Sequence, residues 1–239
     1  MSATIDAVSD PILDVRELRA GYDGTTIVQG VDLRIERGEV LTMLGLNGAG
    51  KSTLLKAIAG LLAFKGEVIL DGNDVSRWTG ARINRAGLAY VPQGMGVFPG
   101  VSVGDHLRMA RHFRPEREAM QAEFLDWFPV LKDRMRQNAQ TLSGGQRKML
   151  SFVMALSCEP TVVLLDEPTE GVAPVVREQL VEALEHVVRR ASVLLVEQNL
   201  DTALAIGGRC VIMEQGQIVE RGMIRELHDS GVIEARMSV

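Results

Sequence analysis

Cysteine is scarce in this chain of 239 residues: there are two, Cys158 and Cys210, with no Cys-x-x-Cys pair and no histidine cluster nearby. A disulfide framework and a zinc site are thereby excluded as organising elements, and a reducing cytosol is the expected setting. Aromatic residues make up only 4%, so a core has to be built from Leu, Val, Ile, Ala and Met, as in parallel sheets covered by helices. Long apolar runs are missing. The strongest, Val162 to Leu165 and Val193 to Val196, fall far short of the ~20 residues of a membrane-spanning helix, so the chain is not expected to cross a membrane by itself. Basic charge is not in excess: 26 Lys and Arg face 31 Asp and Glu, a net charge of -5, which argues against a nucleic-acid partner. Low-complexity tracts and internal repeats are absent, and with 46% hydrophobic residues dominant disorder is excluded. Met1 to Asp10 lacks the basic and apolar regions of a secretory signal. Residues 1–11 read as a loose leader and 12–239 as a single domain.

What is present is a succession of strand and helix patterns. Ile12 to Arg19 and Ile27 to Glu36 alternate apolar and polar residues, predicting two half-buried strands. Glu39 to Leu44 is a mostly apolar strand running into Gly45, and Lys51 to Leu62 predicts a helix with Leu54, Leu55, Ile58 and Leu61 on one face. Gly66 to Leu70 with the Asp71-Gly72 turn, and Gly87 to Val91 before Pro92, predict two more strands. Between Ser102 and Gln140 the strand signals vanish, and Leu107, Phe113, Phe124, Leu125, Phe128 and Leu131 recur at helical spacing. This divides the domain into a core, 12–93 and 141–239, and a helical insert, 94–140. Helices over Gly144–Cys158 and Val175–Arg189 then alternate with buried strands over Thr161–Leu165 and Ser192–Val196, implying a parallel sheet. A closing hairpin (Val211 to Met213, Gln217 to Val219) and a short helix, Ile224 to His228, follow.

Chemistry concentrates at three places. Gly45-Leu46-Asn47-Gly48-Ala49-Gly50-Lys51-Ser52 follows a predicted strand and opens a helix, the context a phosphate loop requires. Glycines let successive N–H groups turn inward around phosphates, the helix N-terminus adds positive potential, and Lys51 brings a cation to the terminal phosphates. Gly45, Asn47, Gly48, Ala49, Gly50, Lys51, Ser52 and Thr53 are the expected ATP ligands, with Ser52 on magnesium. Val162 to Leu165 then delivers two adjacent carboxylates at a strand's carboxyl end, where ligands bind in open parallel sheets. Asp166 suits magnesium, and Glu167 suits polarising an attacking water; alone, such a pair is an ordinary exposed loop. Third, Leu142-Ser143-Gly144-Gly145-Gln146 opens a second phosphate-friendly helix N-terminus.

Together these residues resemble the ATP-binding cassette (ABC) family over roughly Ile12 to Gly222. The resemblance implies an α/β P-loop NTPase of ABC type, with a mostly parallel core sheet, an N-terminal antiparallel β region and a helical insert. It implies ATP and Mg as cofactors, and a second cassette, self or related, packed head to tail. Leu142, Ser143, Gly144, Gly145 and Gln146 of one cassette then complete the nucleotide site of the other. It further implies that Tyr22 stacks on adenine, that Gln93 is the magnesium-sensing glutamine, and that Glu167 is the catalytic base. Plainer readings are core packing for Tyr22 and an unliganded loop residue for Gln93.

The turn Pro168-Thr169-Glu170-Gly171-Val172-Ala173-Pro174, the segment Val196-Glu197-Gln198-Asn199, and Pro92-Gln93-Gly94 followed by Phe98-Pro99 narrow the likeness. They resemble the second ATPase subunit of branched-chain amino-acid importers, or the related urea and amide importers. Such a subunit sits peripherally on the cytoplasmic face of the membrane, with polytopic permease subunits as partners and a solute-binding protein as an indirect one. Gln198 stands where most cassettes carry a switch histidine; it can donate a neutral hydrogen bond but cannot become cationic. Met154 replaces an arginine of many relatives, and Met95-Gly96 replaces basic residues. The insert region is the family's grip on a permease helix, with Val97 and Phe98 as candidate contacts; burial inside the insert is the plainer reading. His106, His112, His186 and His228 are scattered, and Arg111, Arg114 and Arg117 read as a solvated helix face. A soluble repair or translation ATPase and a weakly active regulatory partner are the rival readings.

Overall fold

In the computed structural model, residues 10–94, 96–111 and 117–237 are described. The leader up to residue 9, Met95, His112, Phe113 and Arg114 lie outside them. Two sheets form the frame. The first has the order β2-β1-β4-β5, all antiparallel, from β1 (Leu13–Tyr22), β2 (Thr25–Ile35), β4 (Phe64–Leu70) and β5 (Asn73–Asp74). The second has the order β10-β9-β3-β8-β7-β6, from β3 (Val40–Leu44), β6 (Leu88–Val91), β7 (Val162–Asp166), β8 (Ser192–Val196), β9 (Arg209–Glu214) and β10 (Gln217–Met223). Every pair in it is parallel except the β9–β10 hairpin.

The strands of this second sheet read as continuous apolar runs because both faces are covered. Along β7, Val162 and Leu164 point into a core shared with the antiparallel sheet and helix α1 (Lys51–Ile58), while Val163 and Leu165 point into a second core. That second core holds α6 (Gly144–Leu156) and α7 (Pro174–Val188), together with the insert helices α3 (Val103–Arg111), α4 (Glu118–Trp127) and α5 (Pro129–Lys132). Leu107, Phe124, Leu125, Phe128 and Leu131 are buried in it. Among the described residues, the insert's buried apolar side chains pack on the same cluster as the sheet's outer face and form no separate core.

Several expectations require correction. Helix α1 stops at Ile58, because Gly60 turns to φ +68° against Gly80, and Leu61 ends 62% exposed instead of joining the apolar face. Three short helices carry too few residues for a readable period: α2 (Gly80–Arg85), α8 (Leu200–Ile206) and α10 (Val232–Met237), the last beyond the predicted terminal helix α9 (Ile224–Asp229). Arg117 is not solvated; its side chain is 8% exposed and its Nε lies 2.7 Å from Glu159. Arg111 is likewise largely covered and pairs with Glu118 at 2.9 Å. His106 is fully buried: Phe98 N–H donates to its Nε2 at 2.7 Å, and its Nδ1 lies 2.8 Å from the Ser102 carbonyl. Met154 is half-buried and packs against the second core.

Phe128, fully buried and edge-on to Phe152 at 6.2 Å between centroids, tests whether insert and core share their stability. Truncation to Phe128→Ala should cost about 3 to 5 kcal/mol, seen as a lower urea midpoint of one common transition followed by both far-UV and tryptophan signals. A separate early transition of the insert alone would contradict the shared core.

Candidate active site

Four adjacent strands, β3, β8, β7 and β6, end side by side, and the segment leaving each carries chemistry. After β3 comes the phosphate loop. Gly45 is required there because a Cβ would stand 2.4 Å from the Met213 carbonyl oxygen. Helix α1 starts at Lys51 from Gly50 in a left-handed conformation, with no capping side chain and no acidic residue in its first turn. Its first N–H groups and its positive end therefore face the pocket without an anion from their own helix. The pocket has a volume of about 200 Å3 and is lined by Ile27, Asn47, Gly48, Ala49, Gly50, Lys51, Ser52, Thr53, Gln93 and Glu167.

The adjacent carboxylates at the end of β7 diverge because Glu167 has φ +50°, a left-handed backbone that costs about 1 to 3 kcal/mol for a residue with a side chain. Asp166 turns to Ser52, whose hydroxyl donates to its Oδ1 at 2.9 Å, and to Tyr90, whose hydroxyl donates to its Oδ2 at 2.9 Å. Burial pushes the Asp166 carboxyl up, and these two hydrogen bonds oppose the shift. Burial, then the Asp166 charge, raises the Tyr90 phenol, keeping it a donor.

Glu167 turns the other way. Its Oε1 lies 3.3 Å from Lys51 Nζ and accepts from Gln198 Nε2 at 2.5 Å; its Oε2 accepts from Gln93 Nε2 at 2.7 Å. Lys51 also donates to the carbonyls of Gly45 (2.7 Å) and Leu46 (3.0 Å). Both partners of the Lys51–Glu167 pair are 4% exposed, so each charge is compensated by its neighbours instead of by water. Gln198 completes the group by donating to Asn47 Oδ1 at 2.6 Å.

The sequence-derived residues divide into three sets. Lys51, Ser52, Gln93, Asp166, Glu167, Gln198 and Asn47 are brought together. Leu142 to Gln146 do not line this pocket; Leu142 and Gly145 are buried, while Ser143 and Gly144 are exposed at the start of α6. There the Ser143 hydroxyl accepts from Gln146 N–H at 3.3 Å and Gln146 Oε1 accepts from Ser143 N–H at 3.1 Å, a capping box. Gly145 is held close to α7, where a Cβ would meet Val176 at 2.9 Å. Tyr22, at the end of β1, is 41% exposed, which overturns core packing, and it is not among the lining residues. Four residues were missed in the sequence: Tyr90, Lys148, Glu170 and Glu197. Glu197 was signalled by standing just past a fully buried strand; its Oε1 accepts from the Thr169 hydroxyl (2.8 Å) and N–H (3.2 Å), and burial pushes its carboxyl up. Glu170 Oε2 accepts from Gln93 at 2.8 Å. The remaining two depend on contacts between segments far apart in the chain.

A phosphate loop on a parallel sheet, facing a carboxylate pair on a neighbouring strand, defines a P-loop nucleotide hydrolase. The comparisons narrow this. Residues 28–170 match the family profile described as ABC transporter. The high-affinity branched-chain amino acid transport ATP-binding protein BraG of Pseudomonas aeruginosa is 36% identical over 214 residues, 88% of this chain and 89% of that one. The probable branched-chain amino acid transport ATP-binding protein LivF of Archaeoglobus fulgidus is 34% identical over 218 residues, 88% and 92% of the two chains. The lipopolysaccharide export ATP-binding protein LptB of Escherichia coli is 32% identical over 224 residues, 90% and 92%. Among solved structures, an ATP-binding subunit of an ABC transporter superposes with TM-score 0.84 at 25% identity, covering 95% of this chain and 100% of that one. A dimeric cassette in a post-hydrolysis state with ADP and Pi shares the fold, with TM-score 0.80 at 22% identity over 89% and 99%. The chain belongs to the ABC transporter family as an ATP-binding subunit, and that family hydrolyses ATP. Among the described residues, no helix is long and apolar enough to cross a membrane.

Because Gln198 touches both Glu167 and Asn47, Gln198→Ala should lower kcat for ATP about tenfold, the size of effect when one charge-assisted hydrogen bond of about 1.5 kcal/mol is lost. KM should stay within twofold. Steady-state hydrolysis across ATP concentrations checks this, and an unchanged kcat would remove Gln198 from the site.

Proposed function

We propose that this chain powers an importer of branched-chain amino acids, hydrolysing ATP by in-line attack of water on the γ-phosphorus. The observation that carries the hydrolysis is the convergence of Lys51, Ser52, Asp166, Glu167, Gln93 and Gln198 at four adjacent strand ends. The loop N–H groups and the end of α1 bind the phosphates, and Lys51 neutralises charge on the β- and γ-oxygens. Glu167 orients the water and takes its proton as the oxygen bonds to phosphorus. The bond to the β,γ-bridging oxygen breaks, and ADP and phosphate leave. Gln198 and Gln93 fix the two oxygens of Glu167, so one lone pair faces the water. Tyr22, exposed at its strand end, remains the proposed adenine platform.

A divalent ion fits this donor set. The Ser52 hydroxyl and the Asp166 carboxylate already meet, and Gln93 lines the same pocket as Ser52, with an amide oxygen to offer as a third hard ligand. Ser52, Asp166 and Gln93 would hold Mg, which when bound screens the phosphate charges and orients the γ-phosphate. Leu142 to Gln146 are assigned to a neighbouring cassette's nucleotide, supported by the exposure of Ser143 and Gly144 at the start of α6, away from their own pocket. Residues 94–140 form the lever between Gln93 and α6. Phe98 is 52% exposed while Val97 packs inward, which supports Phe98 as the permease contact. The cargo assignment rests on BraG and LivF and on the Gln198 and Gly171-Val172-Ala173-Pro174 variants; the solute-binding protein and the site at the cytoplasmic face of the membrane follow from it. Similarity to LptB keeps lipopolysaccharide export as the competing cargo.

Capture of a tagged Glu167→Gln chain from detergent-solubilised membranes with Mg-ATP tests the assignment. Recovery of polytopic permease subunits together with a branched-chain solute-binding system supports import, a lipid-export permease replaces the cargo, and soluble partners alone overturn transport. Phe98→Asp should reduce permease recovery at least tenfold while leaving ATP affinity unchanged; loss of ATP binding with intact association would contradict the lever.

A further inference from the structure

The turn behind Glu167 is held by a cation that no step above uses. Lys148 lies on the first turns of α6, just past the capping box, and its Nζ donates to the carbonyl oxygen of Glu167 at 2.9 Å and to that of Glu170 at 2.5 Å. These two acceptors bracket Pro168-Thr169, so one ammonium closes the turn from the α6 side. On the opposite side the buried Glu197 holds Thr169 by its hydroxyl and its N–H. Gln93 joins both ends, its Nε2 donating to Glu167 at 2.7 Å and to Glu170 at 2.8 Å. The turn is thus clamped from three elements, and the clamp from α6 carries a charge.

Two physical facts make this clamp consequential. Glu167 sits at φ +50°, a conformation that persists only where surrounding contacts over-determine it, and its own carbonyl is one of the two atoms Lys148 holds. Hydrogen bonds from an ammonium are about twice as strong as neutral ones. Lys148 is half-buried: burial lowers its pKa, opposed by the charges of Glu170, Glu197, Glu167 and Asp166. A long, flexible lysine side chain gives up considerable rotamer freedom to sit there, which the two carbonyl bonds and the carboxylate field offset.

We propose that Lys148 is a positioning residue for hydrolysis. It ties α6 to the backbone of the turn that aims Glu167, so the helix end that serves a neighbouring cassette's nucleotide and the base that serves this chain's own nucleotide move as one body. The reading of α6 as serving a neighbour rests on the proposed function; the clamp on Glu167 does not.

The test uses the full chain with three substitutions. Lys148→Met keeps the apolar stem and removes the donors, and should lower kcat at least tenfold with KM for ATP and the melting temperature nearly unchanged. Lys148→Arg restores the charge and the donors, and should recover most of the rate. A raised KM at constant kcat, or no rescue by arginine, would overturn the assignment. Differently tagged mixed dimers then locate the effect. Where one chain carries Glu167→Gln, Lys148→Met placed on the other chain, beside its intact Glu167, should remove at least nine-tenths of the remaining turnover. The same substitution on the Glu167→Gln chain should remove less than half. The reverse pattern would place Lys148 in service of the neighbour's nucleotide and overturn the proposal, as would equal losses. If the two tagged chains never co-purify, pairing of this chain with itself falls, and the single-chain kcat comparison still decides the role of Lys148.

Discussion

The site depends on backbone pairing that continues past the ends of the parallel strands. Glu167 N–H donates to the Val196 carbonyl at 2.9 Å, and Glu197 N–H donates to the Met43 carbonyl at 3.2 Å. Each residue that leaves the sheet is thus still in register with the neighbouring strand when its side chain enters the pocket. The register of β3, β8 and β7 sets where Lys51, Gln198 and Glu167 meet, and that register is fixed by apolar side chains alternating between two cores. Slippage by one residue would send Val162 and Leu164 to the wrong face and scatter the site. The chemistry is therefore built on rigid elements, with the loops adding only the last few ångströms.

Charge is concentrated behind this frame. Lys51, Asp166, Glu167 and Glu197 are all buried, and such groups persist only when each has a partner of opposite charge or several hydrogen bonds. The structure supplies both, from Ser52, Tyr90, Thr169 and the two glutamines. Neutral amides at Gln93 and Gln198 can satisfy the oxygens of Glu167 without adding charge, so the balance of charge at the pocket is left to Lys51, the carboxylates and the end of α1. At Gln198 the amide gives contact with Glu167 and Asn47 without a group that titrates near neutral pH.

Much of the fold could be read in advance because its strongest signals are long and periodic. The runs at 162–165 and 192–196 gave buried strands, and the phosphate loop gave the strand–loop–helix junction, since its glycines and lysine are local requirements. Short helices such as α2 and α8 carry too little period to be read. Lys148 and Tyr90 were invisible for a different reason: each acts on a residue brought near by the sheet, and a lone lysine on a helix face has the appearance of solvated charge. Arg117 failed in the opposite direction, since its spacing suggested exposure and only the packing of the insert on Glu159 covered it. His106 likewise looked incidental until the turn at Phe98 folded onto it.

The strand order has a consequence for how the protein is made. Strand β8, from residue 192 to 196, lies between β3, from residue 40, and β7, from residue 162. The phosphate loop and the carboxylates thus cannot become neighbours until most of the chain has left the ribosome. A nascent chain paused before residue 192 would hold β3 with both edges unpaired, since β8 and β9 come later, exposing an apolar strand to chaperones or to another copy. Nucleotide binding is in this sense a late checkpoint of synthesis: only a chain translated past its middle strand can present the assembled pocket.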